Sequence, residues 1–174
     1  MPLLWHIMKL YSFYGINEFI ICCGYKGYLI KEYFSNYFIH RSDVTIDLGE
    51  NTVEVHKKLS ESWKVTLVDT GQDTMTGGRL KRLKKYIGKE TFMMTYGDGL
   101  SNINLKKLLK FHNKNKKLVT LTAVRPPARF GVIKLKGQHV SYFKEKSKLD
   151  EGWINGGFFV MEPEFLKYIK NDNT

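Results

Sequence analysis

No stretch of this sequence reaches the roughly 18 to 20 uninterrupted apolar residues that a membrane-spanning helix needs. Its first residues also lack the basic-then-apolar pattern of a secretory signal. Cysteine is nearly absent. The two copies, Cys22 and Cys23, are adjacent in the apolar run FIICC. Neighbouring residues of a strand point to opposite faces, which makes them a poor disulfide and a poor metal pair. They read as small buried apolar residues in a reducing compartment, so the expectation is a cytoplasmic protein without membrane contact.

Arginine is scarce as well. Five arginines stand against 23 lysines in a chain of 28 basic and 17 acidic residues, net charge +11. Arginine is the residue that forks onto guanines and phosphates, so the composition argues against a dedicated nucleic-acid reader. The densest basic run, KKLLKFHNKNKK at 106–117, has Leu105, Leu108, Leu109 and Phe111 woven through it. That pattern predicts an amphipathic helix with a solvated lysine face. Anionic small molecules stay open as ligands. The histidines, at 6, 40, 56, 112 and 139, lack zinc-protease spacing, and there is no G-x-S-x-G elbow or Walker loop. Each histidine reads as structural or exposed rather than catalytic.

What the chain does have is ample apolar content, 43% over 174 residues, enough for one domain spanning 1–174. Leu3, Leu4, Ile7, Leu10 and Tyr11 fall on one face of a helix over Pro2–Tyr14 that Gly15 can close. FIICC (19–23) follows as a buried strand, and YLIKEYFSNYF (28–38) as a second helix. Helix, strand, helix with short links is the grammar of a layered α/β fold. Alternating residues around Gly49–Glu50–Asn51 predict a hairpin. Strands are expected at WKVTLVDTG (63–71), TFMMTY (91–96) and LVTLTAV (118–124), and helices at GGRLKRLKKYIG (77–88) and NLKKLLKFHNK (104–114). FGVIKL, HVSYFKEK and GGFFVM then read as strands without helices between them, and MEPEFLKYI as a last helix with Pro163 in its first turn.

Three loops could carry chemistry. The first, VDTGQDTMTGGRL, ends in Gly77–Gly78–Arg79. Two glycines before a helix let backbone N–H groups approach an anion, though the same pair also occurs in ordinary loops. The second is TYGDG. Asp98 sits between Gly97 and Gly99 just past a strand's carboxyl end, where open α/β sheets bind ligands. It either caps its own turn or offers one hard oxygen to magnesium, with phosphates and water supplying the rest. The third comprises RFGVI, FKEKS and WINGGFF. Glu145 can accept hydrogen bonds from sugar hydroxyls and Lys146 can meet a phosphate, unless the two are an exposed pair only. Gly156–Gly157 within a strand points to close approach by something else.

The order TLVDTGQDTMTGGRL, TYGDG, TLTAVRPPARFG, FKEK, WINGGFF, preceded by PLLWHIMKLYSFYGINEFIICCGYKG, resembles the glucose-1-phosphate cytidylyltransferases, a branch of the sugar-phosphate nucleotidyltransferases. The resemblance runs from Pro2 to about Lys170. It implies a Rossmann-like layered mixed sheet with helices on both faces. It implies an enzyme that makes CDP-glucose and pyrophosphate from CTP and glucose 1-phosphate, with Mg2+ as cofactor, for dideoxysugar and O-antigen synthesis. It further implies that Thr74, Gly77, Gly78, Arg79 and Gly97 serve the nucleotide and that Asp98 takes the metal. Gly131, Glu145, Lys146, Asn155 and Gly156 would serve the sugar phosphate, and the parent enzyme would be a homo-oligomer.

Members of that family begin with a strand and a glycine-rich loop, G-G-x-G-T-R-L, and continue past the counterpart of Thr174 to a second metal-binding aspartate. Neither segment is in this sequence, and EKS stands where the family has EKP. The expectation is therefore an incomplete member whose 174 residues alone turn over poorly. Two other readings remain: a binding module that keeps ligand affinity without turnover, and a glycosyltransferase, for which an Asp-x-Asp metal motif would be expected in place of the single aspartate of GDG.

Overall fold

The computed structural model describes residues 1–58, 60–125, 132–144 and 152–174. They divide into two compact units, Met1–Glu90 with Pro163–Thr174, and Thr91–Glu162. The fold is mixed α/β, as the sequence predicts.

In the first unit, helix α1 (Leu3–Phe13) buries Ile7, Met8 and Tyr11 and ends at Gly15, whose φ of +86° only glycine adopts without strain. Strand β1 (Glu18–Cys23) runs parallel to β4 (Lys64–Asp69), with Glu18 opposite Lys64 and Cys23 opposite Asp69. Between them come α2 (Gly27–Ser35), α3 (Tyr37–His40) and the antiparallel hairpin of β2 (Ser42–Asp47) and β3 (Thr52–Lys58). The hairpin turn is held by Asp47, whose Oδ1 accepts from the N–H groups of Gly49 and Glu50 at 2.8 and 2.9 Å. Aromatic rings dominate the packing: Trp63 lies 5.8 Å from Phe19, 6.1 Å from Trp5 and 6.3 Å from Tyr37. The Tyr37 hydroxyl accepts from Trp5 Nε1 at 2.6 Å and donates to Glu61. Burial and that bond to Glu61 push the Tyr37 phenol up to about 12.

Two segments expected as single helices are broken. The 28–38 helix stops at Ser35, where Asn36 (φ −97°, ψ 1°) caps it, its N–H and its side chain both donating to the Glu32 carbonyl at 3.1 and 3.0 Å, and a separate turn, α3, follows. The 77–88 helix divides into α4 (Thr76–Arg82) and α5 (Lys84–Ile87). Tight bonds Leu83 N–H to Leu80 O (3.0 Å) and Tyr86 N–H to Leu83 O (2.8 Å) turn the chain between them. The last helix is a 3₁₀ helix over Pro163–Tyr168 rather than an α-helix.

In the second unit, β5 (Phe92–Thr95) and β6 (Val119–Val124) flank β9 (Ile154–Met161), antiparallel on both sides. Phe158, Phe159, Val160 and Met161 are all buried, so both faces of β9 are covered. Strands β7 (Val132–Lys136) and β8 (His139–Lys144) form a hairpin around Gly137. Helix α6 (Leu105–Asn115) starts at Asn104, whose side chain accepts from Lys107 N–H at 3.0 Å. Its lysines are exposed as predicted, but so are Leu109 and Phe111, and the core position one heptad beyond Leu105 is taken by His112.

His112 is 1% exposed and fully engaged: Nδ1 lies 2.8 Å from Thr120 Oγ1 and Nε2 2.9 Å from Glu162 Oε1. Thr91 Oγ1 also donates to the Glu162 carboxylate at 3.0 Å. The bond from His112, then that from Thr91, holds the Glu162 carboxyl below its ordinary range. A carboxyl depressed in the folded state stabilises the fold above its unfolded pKa, and the contribution disappears as pH falls through the folded value. Wild-type stability should therefore fall more steeply than that of Glu162→Gln on acidification below the ordinary glutamate range. Urea midpoints across that range check this, and parallel curves would refute it.

Candidate functional site

In the first unit the candidate nucleotide residues cluster where β4 leads into α4. Thr70, one residue past β4, is fully buried, and both its N–H and its hydroxyl donate to the Cys23 carbonyl at the end of β1, at 2.8 and 3.0 Å. The loop turns at Gly71 (φ +83°), where Asp69 Oδ1 accepts from the Gly71 N–H at 2.9 Å. Thr74 is buried in the same loop. Arg79, from the first turns of α4, reaches back over the loop, with Nη1 donating to Thr70 Oγ1 at 2.8 Å and Nη2 to Gln72 O at 3.0 Å.

Gly77 and Gly78 do admit close approach, and in this structure the approaching group is the chain's own segment 171–174. Met75 N–H donates to Asp172 O (2.8 Å) and Gly77 N–H to Thr174 O (2.7 Å). A Cβ at Gly78 would lie 2.5 Å from Asp172 Cα. Arg82 completes the closure, its Nη2 standing 2.5 Å from Asp172 Oδ2 and its Nη1 donating to Thr70 O at 3.0 Å. That guanidinium holds the Asp172 carboxyl below its usual range.

In the second unit, one end of the β5–β9–β6 sheet gathers the other candidates. Gly97 and Asp98 follow Tyr96, the first residue past β5. Asp98 is exposed, bonds to no described residue, and its flanking glycines have open space on their side-chain sides. Asn155 and Gly156 open β9 at the same end. The Asn155 side chain donates to Tyr96 Oη at 3.2 Å and accepts from Gly157 N–H at 2.9 Å. Gly157 has φ +82°, and a Cβ on it would meet the Tyr96 ring at 3.0 Å. A Cβ on Gly156 would lie 2.9 Å from Val124 and 3.0 Å from the Thr122 carbonyl. Tyr96 is thus the residue that ties Asn155 to the GDG turn, and only its place inside TYGDG could have marked it. Arg125, just past β6, stacks on Trp153, just before β9, at 4.8 Å. The sheet end therefore presents a carboxylate, an amide, a phenol and a cation-backed indole.

Gly131, Glu145 and Lys146 lie outside the described residues. Among the described residues no group of three or more His, Cys, Asp or Glu converges as a metal site. A carboxylate with room around it and no partner among the described residues suits magnesium, which is commonly held by one or two carboxylates together with substrate phosphates and water. The groove of about 420 Å³ between Phe34, Tyr37, Phe38, Glu61 and Trp63 contains none of the candidate residues. No helix among the described residues is long and apolar enough to cross a membrane.

Known proteins match this chain from end to end. The family described as nucleotidyl transferase covers residues 1–174. Glucose-1-phosphate cytidylyltransferase of Salmonella typhimurium is 55% identical over 174 residues, 99% of this chain and 68% of that protein. The probable glucose-1-phosphate cytidylyltransferase of Bacillus subtilis is 44% identical over 173 residues, 99% of this chain and 67% of that protein. Among solved structures, HddC from Yersinia pseudotuberculosis shares the fold at a TM-score of 0.65 and 20% identity, over 99% of this chain and 68% of its own. The chain belongs to the nucleotidyl transferase family and, within it, to the glucose-1-phosphate cytidylyltransferases.

Proposed function

We propose that this protein carries out the transfer its relatives are named for, joining the cytidylyl group of CTP to glucose 1-phosphate. The observation that carries the reading is 55% identity over the whole chain to a glucose-1-phosphate cytidylyltransferase. In the reaction an oxygen of the sugar phosphate attacks the α-phosphorus of CTP. The new P–O bond forms as the bond to the β-phosphate oxygen breaks, and pyrophosphate leaves with that electron pair. The protein need form no covalent intermediate, since positioning and charge neutralisation lower the barrier.

Arg79, Thr74 and Gly97 are assigned to the nucleotide, and Asn155, Gly156, Gly131, Glu145 and Lys146 to the sugar phosphate. Bound at Asp98, Mg2+ would offset the charge of the phosphates. Asn155 is held by Tyr96 and the Gly157 N–H, so its amide is oriented before a sugar arrives. The product would feed dideoxysugar and lipopolysaccharide synthesis in the cytoplasm, where CTP is made, and the enzyme would work as a homo-oligomer.

Calorimetric titration of the chain with CTP and with glucose 1-phosphate, followed by a pyrophosphate-release assay with both and Mg2+, tests the reading. Binding of both ligands with release of pyrophosphate is expected when the remaining third of the Salmonella typhimurium relative is supplied in a chimera. Binding without release, in chain and chimera alike, would leave a ligand-binding module instead.

A further inference from the structure

Arg79 does not lie free over its loop. It is held from three sides. The Thr70 hydroxyl has one proton, and it donates to the Cys23 carbonyl at 3.0 Å. The oxygen is then left to accept, and Arg79 Nη1 donates to it at 2.8 Å. The Gln72 carbonyl takes Nη2 at 3.0 Å. The third side is Gly24, just past β1. A Cβ there would fall 2.5 Å from Nη1, 2.7 Å from Nη2 and 3.0 Å from Cζ. Gly24 is not among the glycines with positive φ, so its lack of a side chain is needed for space and not for backbone conformation. The guanidinium lies in the volume a side chain at 24 would fill. Its other N–H donors have no described partner.

We propose that Thr70 and Gly24 are positioning residues for nucleotide binding, forming a fixed seat that holds the Arg79 guanidinium so that its unused donors meet the nucleotide. The proposal rests on the reading of Arg79 as a nucleotide contact. An arginine loses rotamer freedom when it grips a ligand, and a seat that fixes it beforehand removes that cost from binding. Thr70 can do this because it is itself immobile, fully buried, tied to β1 through both donors, and held at its carbonyl by Arg82. Neither residue is expected to touch the ligand. An alanine at 24 meets only the far end of a flexible side chain, so it displaces the guanidinium and leaves the backbone in place.

The test is calorimetric titration of the full chain with CTP and, separately, with glucose 1-phosphate, for wild type, Thr70→Val, Thr70→Ser, Gly24→Ala and Arg79→Ala. Thr70→Val keeps the shape and removes the hydroxyl. It should weaken CTP binding by about tenfold and leave glucose 1-phosphate binding unchanged. Thr70→Ser, which restores the hydroxyl, should bind CTP like wild type. Gly24→Ala should match Thr70→Val with an unaltered melting temperature. Equal weakening of both ligands by Thr70→Val would mean a merely structural role and overturn the proposal. Loss of CTP affinity in Arg79→Ala with none in Thr70→Val or Gly24→Ala would also overturn it while sparing the nucleotide contact. Full CTP affinity in Arg79→Ala, or no CTP binding by wild type, would remove the underlying reading itself.

Discussion

Replacing Asp98 by alanine is expected to lower turnover by about a hundredfold or more, the scale on which loss of one charge-stabilising group acts in a preorganised site, while the fold stays unchanged. The two halves of that statement have separate causes. Asp98 is exposed, bonds to no described residue and lies in a turn whose glycines meet nothing. Nothing in the described structure depends on its carboxylate, and substitutions of that kind stay within about 0.5 kcal/mol. Under the proposed function its work comes from the turn two residues past Tyr96, when a ligand is present. The measurement is pyrophosphate release with CTP, glucose 1-phosphate and Mg2+ in the chimera that supplies the relative's remaining third, alongside urea denaturation of the same variants. Asp98→Asn should lose nearly as much as alanine, because it keeps the shape but not the charge. Near-normal magnesium-dependent turnover in either variant would sink the assignment, and a large loss of stability would show that the carboxylate holds the turn instead.

Much of this was legible in the sequence because the signals are local. The α1 face, the FIICC and KVTLVD strands, the hairpin around Gly49–Glu50–Asn51 and the exposed lysine face of α6 all follow from residues within a few positions of one another. The errors have local causes too, in weak signals that periodicity does not weigh. The helical pattern ran through Asn36 unbroken, yet Asn36 caps α2, its N–H and side chain both meeting the Glu32 carbonyl. Apolar spacing continued through Leu83, where the chain tightens and turns. Pro163 correctly marked a helical start, but not that the turns after it would be 3₁₀.

The candidate site was legible as a set of residue types and not as an arrangement. Gly77–Gly78 announced close approach, and no feature of TGGR names Asp172 and Thr174 as what approaches, since those residues lie some ninety positions away. Thr70 passed unnoticed because a threonine after a strand is ordinary. Its importance appears only when Cys23 and Arg79 are seen to share it. His112 likewise gave no sign that it would be a core residue bridging Thr120 and Glu162. Contacts of this reach are fixed by the packing of whole elements, and a single sequence does not display them.

The largest expected effect on stability belongs to Phe158. It sits in the central strand of its sheet, 2% exposed, opposite Thr95 of β5, in the run Phe158–Met161 that is buried on both faces. Truncating a buried phenylalanine removes its transfer free energy and leaves a cavity the strand cannot close, which costs about 3–5 kcal/mol. Since small folds hold only about 5–15 kcal/mol in total, Phe158→Ala should bring the chain close to unfolding. Phe111→Ala is the matched control. It removes the same atoms from a ring that is 59% exposed on α6, and should change stability by about 0.5 kcal/mol or less. Urea midpoints of the two variants, with slopes compared to confirm that the unfolding is of the same kind, decide the matter, and equal losses would show that β9 is not the core of its unit. The effect should reach the site as well. Asn155 and Gly156 lie on the same strand as Phe158, and the described hydrogen bonds of the Asn155 side chain are those to Tyr96 and the Gly157 N–H. A β9 loosened at Phe158 would let the Asn155 amide drift before the fold is lost, so glucose 1-phosphate affinity should weaken in Phe158→Ala at urea concentrations where the circular dichroism is still native.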